Sequence, residues 1–357
     1  MNALALIQKT QSLIAAGDII GASQPISGLT SEEASIDVMS QIGLEVTAVG
    51  NHEFDKGKAE LQRMQNGGCK SAADGGVIGQ TTCITNSQSR ADGKFAGAKF
   101  KYLAANVIDQ ATNQQLFQGT YTKQFGAAKV GFVGLTLQAT PTSTSGAGGL
   151  TFLNEATVIN ENAAQLKKEG ADAVVVLIHQ GGQTSAPYIN DQSCPGLTGL
   201  ISGIVSQLHN VDVVVSGHTH QEYICRDAAT GILLTSAGLY GRMVTDIDLK
   251  IVPGKGVTAK TARTVPVINN LNSSLPQGYQ ALTADAATQA IIDIYDRATS
   301  GTLQQVYGYT NSMLSNCNRT QTLETPVGDM EADAYLDSYL NTDPSATNVI
   351  AFTNVGG

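Results

Sequence analysis

Four of the chain's five histidines stand at or just beyond the ends of short apolar runs. The runs are Ala-Val-Val-Val-Leu-Ile-His179, Val-Asp-Val-Val-Val-Ser-Gly-His218-Thr-His220 and Leu-Glu-Val-Thr-Ala-Val-Gly-Asn51-His52-Glu53-Phe54-Asp55. A fourth run, Ser12-Leu-Ile-Ala-Ala-Gly17-Asp18, ends in a carboxylate. β-Branched runs of this length read as strands buried on both faces, and polar groups just past their carboxyl ends lie where open α/β sheets build their sites. Imidazole, carboxylate and side-chain amide from four separate segments suit zinc, manganese or iron. Calcium would want oxygen alone, and a structural zinc site would lean on thiolates.

The ordered series Gly17-Asp18, Gly50-Asn51-His52-Glu53-Phe54-Asp55, His179 and Gly217-His218-Thr219-His220 resembles the calcineurin-like metallophosphoesterases. Within them it is similar to the 5′-nucleotidase branch, because Ala105-Asn106, Val130-Gly131-Phe132-Val133-Gly134-Leu135-Thr136 and Glu324-Thr325-Pro326-Val327-Gly328-Asp329-Met330 also match, and the likeness runs nearly end to end. The resemblance implies a four-layer α-β-β-α sandwich and a hydrolase of phosphoric esters, foremost of nucleoside 5′-phosphates. It implies Asp18 as a carboxylate bridging two divalent metal ions, Asn51, His179 and His218 as ligands of the second, and His220 as a ligand of the first. His52 matches the general acid or transition-state stabiliser, and Asp55 the carboxylate that orients it. Two ions about 3.5–4 Å apart lower the pKa of a shared water and clamp the phosphoryl oxygens. A histidine three residues before an aspartate can be held in one tautomer and aimed.

The family also takes an aspartate and a histidine from an Asp-x-His motif on a preceding first strand, and no such motif stands before Asp18. The expectation is a sandwich lacking its first strand, with one ion held well and the other weakly, since only His220 and a share of Asp18 serve it. A sheet without that strand presents an unpaired edge. Asn354-Val355-Gly356-Gly357 resembles the start of a nucleotide-binding segment, so the chain reads as a fragment cut at both ends. Two function classes stand side by side: a metal-dependent phosphatase acting on nucleotides or other small phosphate esters, and an impaired remnant that holds one metal or phosphate without turnover.

The elements that must position these groups follow from pattern. Ser31 to Ile42 reads as a helix with Ala34, Val38 and Ile42 on one face, a Thr/Ser cap and Glu32 and Glu33 in its first turn. It feeds strand Leu44 to Val49. Residues Gly67 to Gly97, rich in Gly, Ser, Thr and Asn, read as an extended surface loop before strand Lys101 to Ala104. Thr142 to Gly149 lacks the Gly-Lys-Ser/Thr ending of a phosphate loop and reads as a linker before helix Asn154 to Glu169. Gly199 to Leu208 is a further helix and Val244 to Ile251 a closing strand. Breakers at Pro253-Gly254-Lys255-Gly256, Asn269-Asn270 and Pro276-Gln277-Gly278 place a boundary between Val252 and Leu282. The organisation expected is a catalytic domain over 1–260, a linker and connecting helix over 261–304, and the start of a smaller α/β C-terminal domain over 305–357. The connecting helix, Thr283 to Arg297, has Thr283 as its cap.

With 357 residues, 42% of them hydrophobic, the chain can bury one large α/β core and part of a second. Its formal charge of −9, without a basic run, argues against nucleic acid as a partner, so small anions must be recruited by metal charge. No stretch approaches the roughly 20 apolar residues of a membrane span. Five cysteines form no Cys-x-x-Cys pair. Cys69 with Cys83 and Cys194 with Cys225 suit two local disulfides, with free buried thiols the other reading, and Cys317 is left over. Disulfides imply a secreted or periplasmic protein, although Met1 opens on a helical stretch and no signal peptide is read. A monomer is expected. Melting with and without manganese or zinc tests the inferred site: the ion should raise the melting temperature, and no rise would count against it.

Overall fold

The computed structural model describes residues 11–84, 94–268, 282–306, 308–311 and 325–351. The helix expected at Met1, the thiol of Cys317 and the segment 354–357 lie outside the described residues. The chain runs β1 (Leu13–Ala15), α1 (Pro25–Gly28), α2 (Glu33–Gln41), β2 (Leu44–Ala48), α3 (Gly57–Asn66), β3 (Lys101–Leu103), β4 (Val107–Asp109), β5 (Gln114–Gln115), β6 (Thr120–Phe125) and β7 (Ala128–Thr136). It continues through α4 (Thr140–Ser143), β8 (Leu150–Phe152), α5 (Glu155–Lys168), β9 (Ala173–His179), α6 (Leu200–Val205), β10 (Val213–Ser216), β11 (Glu222–Arg226) and β12 (Leu233–Ala237). A hairpin of β13 (Met243–Val252) and β14 (Gly256–Pro266) follows, then α7 (Ala286–Leu303) and α8 (Pro326–Thr342).

Alternate residues of one strand serve two different cores, because successive side chains point to opposite faces. Along β9, Val174, Val176 and Ile178 join a cluster with Ile159, Ala163 and Leu166 of α5 and Ile201 and Val205 of α6. Ala173, Val175 and Leu177 turn the other way, to meet Val46, Ala48 and Leu103 of β2 and β3. On the far side of those strands, Leu44 and Tyr102 pack with Ile36 of α2 and Leu61 and Met64 of α3. Helices, sheet, sheet, helices: this is an α/β four-layer sandwich, with three apolar layers between them.

The smaller sheet has the order β1-β2-β3, all parallel. The larger has the order β11-β12-β10-β9-β7-β6, with β7, β9, β10 and β12 parallel in its centre. That is why their sequences read as unbroken apolar runs. Both β2 and β9 therefore end at the same kind of edge, where Asn51 and His179 stand.

Several boundaries depart from the sequence pattern. Helix α2 starts at Glu33, and Glu32 is its N-cap with a left-handed backbone (φ 63°) and no side-chain cap bond, so Ser31 and Thr30 do not cap it. At α7 the capping oxygen is that of Asp285, which accepts from the Thr288 amide at 2.9 Å, so Thr283 stands outside the helix. Helix α5 starts at Glu155, and Asn154, expected as its first residue, is its cap, accepting from the Thr157 amide. Pro253-Gly254-Lys255-Gly256 is the turn of the β13–β14 hairpin. The described residues fall into two compact units, Met1–Ser300 and Gly301–Gly357, and the second contains α8, capped by Thr325.

Within the loop expected over Gly67 to Gly97, residues 71–80 lie at the surface as the pattern suggests, but the ends at 67–70 and 82–84 are anchored. Cys69 is bonded to Cys83, and Cys83 is fully buried. A buried ion network explains the anchoring. Arg63 of α3 donates from Nη1 to Glu33 Oε1 at 2.8 Å and to the Gly68 carbonyl at 2.9 Å, from Nη2 to Glu60 Oε1 at 2.8 Å and to the Ser31 carbonyl at 3.1 Å, and from Nε to Glu60 Oε2 at 2.9 Å. The same Glu33 oxygen accepts from the Thr82 hydroxyl and the Cys83 amide. Cys194 and Cys225 form the second disulfide. Replacing Arg63 with Ala would leave Glu33 charged and buried, so urea unfolding should show a loss of about 3–5 kcal/mol. A loss near that of an exposed ion pair, under about 1 kcal/mol, would show the network to be ornamental.

Candidate metal centre

Two strand ends of the small sheet and two of the large one face each other, and glycine lets them approach. A Cβ at Gly50 would fall 2.1 Å from Asp18 Oδ1, and one at Gly17 2.7 Å from the Gly50 nitrogen, where Gly17 also has φ 88°. No other residue fits there. Asp18 follows β1 with φ 52°, and His218 follows β10 with φ 71°, left-handed conformations that turn both side chains out of the strand direction.

Asp18, His179 and His218 offer ligand atoms that all lie within 4.8 Å of one another. Asp18 Oδ2 is 2.9 Å from His179 Nε2, and Asn51 Oδ1 lies 3.1 Å from both His179 Nε2 and His218 Nδ1. His179 Nδ1 stands 2.7 Å from the Ala16 carbonyl, an acceptor only, so the proton sits on Nδ1 and the Nε2 lone pair faces the cluster. His179 and Asn51 are buried and Asp18 and His218 partly so. The donor set therefore fits a divalent cation: a carboxylate, an amide oxygen and two imidazoles converge, and the far nitrogen of His179 is already held.

The charges respond to this crowding. Burial would raise Asp18, but the hydrogen bond and charge of His179 and the His52 amide outweigh it and hold its pKa below the ordinary carboxylate value. Burial would lower His179, yet Asp18 and the Ala16 carbonyl hold it above the ordinary imidazole value. His218 goes the other way, lowered by burial and by the neighbouring His179. Without a cation, one imidazole thus favours a proton beside Asp18 and the other favours the neutral form.

His52 and Asp55 stand beside the cluster on a short turn. His52 Nδ1 is 2.8 Å from Asp55 Oδ2, and the His52 side chain is 37% exposed, enough to meet a ligand from solvent. Its amide donates to Asp18 Oδ1 at 3.1 Å. Burial pulls His52 down, but the Asp55 bond and the Asp18 and Glu53 charges win, and its pKa is raised. His220 is not among the converging ligands. It is exposed, with φ 58°, and its ring lies 6.0 Å from that of Tyr240.

Glu53 was assigned no role by sequence, although it stands inside the Asn51-to-Asp55 segment. Fully withdrawn from solvent, its carboxylate accepts three backbone amides: Asp18 at 2.9 Å and Gly50 at 2.7 Å on Oε2, and Ile19 at 2.7 Å on Oε1. It clamps the loop after β1 to the loop after β2. Burial and the Asp18 charge push its pKa up to about 7 in the absence of a cation. A glutamate between two residues of an expected site was the only signal available.

A scan against protein-family models finds no match. Among curated proteins, the endonuclease YhcR of Bacillus subtilis is 26% identical over 344 residues, covering 96% of this chain and 25% of its own length. The 5′-nucleotidase of Vibrio cholerae is 25% identical over 218 residues, 60% of this chain and 33% of that protein. The chain thus spans a third or less of the length of both relatives. Among solved structures, the 5′-nucleotidase precursor of Thermus thermophilus superposes with a TM-score of 0.64 at 19% identity, over 93% of this chain and 58% of that one. The calcineurin-like phosphoesterase YfkN of Bacillus subtilis gives 0.54 at 18% identity, over 82% and 84%. The chain therefore has the fold of the 5′-nucleotidase precursor and the calcineurin-like phosphoesterase among these structures, and its sequence is similar to 5′-nucleotidases.

Glu53→Gln keeps the shape but gives the buried site one acceptor oxygen and an unwanted donor. Titration calorimetry with manganese should show affinity falling by about tenfold or more while the fold is retained. Unchanged affinity would mean that the clamp does not position the ligands.

Proposed function

We propose that this chain carries the catalytic machinery of a metal-dependent phosphatase that hydrolyses phosphate esters, foremost nucleoside 5′-phosphates to nucleoside and phosphate. The observation that supports this most is the convergence of Asp18, Asn51, His179 and His218 beside the His52–Asp55 pair. Those four residues would hold a divalent ion, zinc, manganese or iron, and His220 would serve a second. Such ions supply Lewis-acid charge at the phosphoryl group and a water activated at neutral pH.

The chain's own groups do the rest. Asp55 accepts from His52 Nδ1, which fixes the tautomer and leaves Nε2 to carry a proton toward the phosphoryl or leaving oxygen. Because its pKa is raised, His52 stays protonated to higher pH than a free imidazole and can donate near neutrality. Backbone amides around Asp18 are already committed to Glu53, so the site's free polarity is that of its side chains.

A second reading has its own support, since His220 stands apart from the converging ligands: one ion is held, and phosphate is bound without turnover. The reading extends to organisation and location. It takes residues 1–260 as the catalytic domain, 261–304 as a linker with its helix, and 305–357 as part of a nucleotidase C-terminal domain, acting as a monomer. Two disulfides suit an oxidising compartment outside the cytoplasm, and among the described residues no helix is long and apolar enough to cross a membrane.

The test is AMP hydrolysis with manganese, followed by phosphate release. Wild type should turn over, His52→Ala should lose about 10²–10⁴-fold in kcat with manganese affinity unchanged, and Asp55→Asn should retain partial activity. The sign of the pH effect is fixed: a donor with a raised pKa works below it and fails as pH rises through it. Removing the Asp55 charge lowers that pKa, so the alkaline limb of Asp55→Asn should move to lower pH. Manganese binding without any turnover would favour the second reading, and neither binding nor turnover would end the first.

A further inference from the structure

Glu53 ties together the two loops of the small sheet, and the large sheet has a clamp of its own, built from hydroxyl groups. We propose that Tyr223 and Thr219 are positioning residues that hold His218 in the strained turn from which it reaches the metal centre. The proposal deepens the phosphatase reading and rests on its ligand set.

His218 is the central residue of a three-residue turn, closed by the Thr219 amide donating to the Gly217 carbonyl at 2.8 Å. With φ 71° at its centre, this is the rare and strained form of the γ-turn. A turn of this kind holds only when neighbouring contacts over-determine it. Asn51 Oδ1 lies 3.1 Å from His218 Nδ1, but that contact steadies the ring alone, and the backbone needs its own support.

That support is a closed circuit of hydrogen bonds around the turn. Thr219 Oγ1 donates to the Gly182 carbonyl at 2.7 Å. The Gly182 amide donates to the Tyr223 hydroxyl at 3.3 Å, and that hydroxyl is 2.7 Å from Ser216 Oγ. Ser216 Oγ in turn donates to the Thr235 carbonyl at 2.8 Å, which uses its only proton. Tyr223 must therefore donate to Ser216, and the series runs one way from amide to carbonyl, each bond polarising the next. Tyr223, Ser216 and Thr235 are buried, so water cannot replace a lost partner. Ser216 precedes the turn, Thr219 ends it, and Gly182 joins both to the segment that follows His179. A Cβ at Gly181 would fall 2.2 Å from the Gly217 carbonyl oxygen and 2.4 Å from Thr219 Oγ1, so the two ligand-bearing loops touch. The circuit thus fixes both ends of the turn, and with them the placing of His218 against His179.

Tyr223→Phe and Thr219→Val each remove one hydroxyl with little change of shape. Manganese titrated calorimetrically into the full 357-residue chain should bind each variant about tenfold more weakly than wild type, the scale of losing a group that orients a ligand. Thr219→Ser, which restores the hydroxyl, should recover wild-type affinity. Thr219 is only partly buried, so its variants decide even where Tyr223→Phe unfolds. In a His218→Ala background both substitutions should cost nothing further, because they act through that imidazole. An equal loss with and without His218 would mark a merely structural role and overturn the proposal, as would wild-type affinity in both variants. A wild-type chain that binds no manganese would end the metal reading by itself, and the turn is then read directly in the chelator-treated chain by nuclear magnetic resonance. There the His218 ring resonances should shift or split in Tyr223→Phe and Thr219→Val and return in Thr219→Ser; resonances that do not move overturn the positioning role.

Discussion

One buried carboxylate takes the amides of Asp18, Ile19 and Gly50, and on that clamp the rest of the site depends. Backbone N–H groups at strand ends have lost their ladder partners and must find others when buried. Here one side chain, from the turn after β2 itself, satisfies three of them at once. The loops after β1 and β2 are thereby fixed to each other at glycine-sized separation, and Asp18 and Asn51 come out on the same side. Placing a negative group so close to Asp18 is unfavourable without a cation, as the upward push on Glu53 records. The clamp and the cation are therefore complementary: one sets the ligand geometry, and the other would relieve the charge that the geometry concentrates.

His179 is the counterpart on the large sheet. Its Nδ1 is bound to the Ala16 carbonyl, across from one sheet to the other, and so its tautomer is chosen by the backbone of the segment that carries Asp18. The left-handed residues Asp18, His218, His220 and Tyr240 all fall in the loops around this junction. Such conformations cost of order 1 kcal/mol each and persist where the surroundings dictate them. Other left-handed residues, such as Ser31, Asn113 and Asn210, lie away from it, so the strain accompanies the site without marking it.

Strand ends were legible because a parallel sheet buried on both faces leaves an unmistakable apolar run, and a polar residue after it stands out. The four-layer order came from the family resemblance those strand ends carry, and α5 was found within a residue of its bounds because its pattern is local. Where long-range contacts decide, pattern failed. Region 67–84 looks like a polar surface loop and is one over 71–80, but only the Arg63 network and the buried Cys83 reveal that its ends are packed. Asp285 capped α7 in place of Thr283, since both are good caps and sequence offers no way to choose between residues two apart. The cysteine spacing left disulfides and free thiols equally open, a choice that needed three-dimensional proximity. Glu53 was invisible as a clamp because a carboxylate in a run of polar residues carries no mark of the amides it will meet. The separation of His220 from the cluster was equally hidden, as two histidines two apart in sequence need not face one ion when both have left-handed backbones.

The division of ligands between the sheets has an energetic consequence. Asp18 and Asn51 hang from the small sheet, His179 and His218 from the large one, and the apolar layer of Val46, Ala48, Leu103, Val175 and Leu177 lies between the two sheets. Apolar packing is non-directional, so it holds the sheets together without fixing the register of their ends to a fraction of an ångström. The polar bonds across the gap, His179 to Ala16 and to Asn51 and His218 to Asn51, supply that register, and a cation seated among the same atoms would reinforce it. Binding energy at the ion is then in part sheet-docking energy. Any change that lets the sheets slide should be felt first as weakened metal binding and only later as loss of fold.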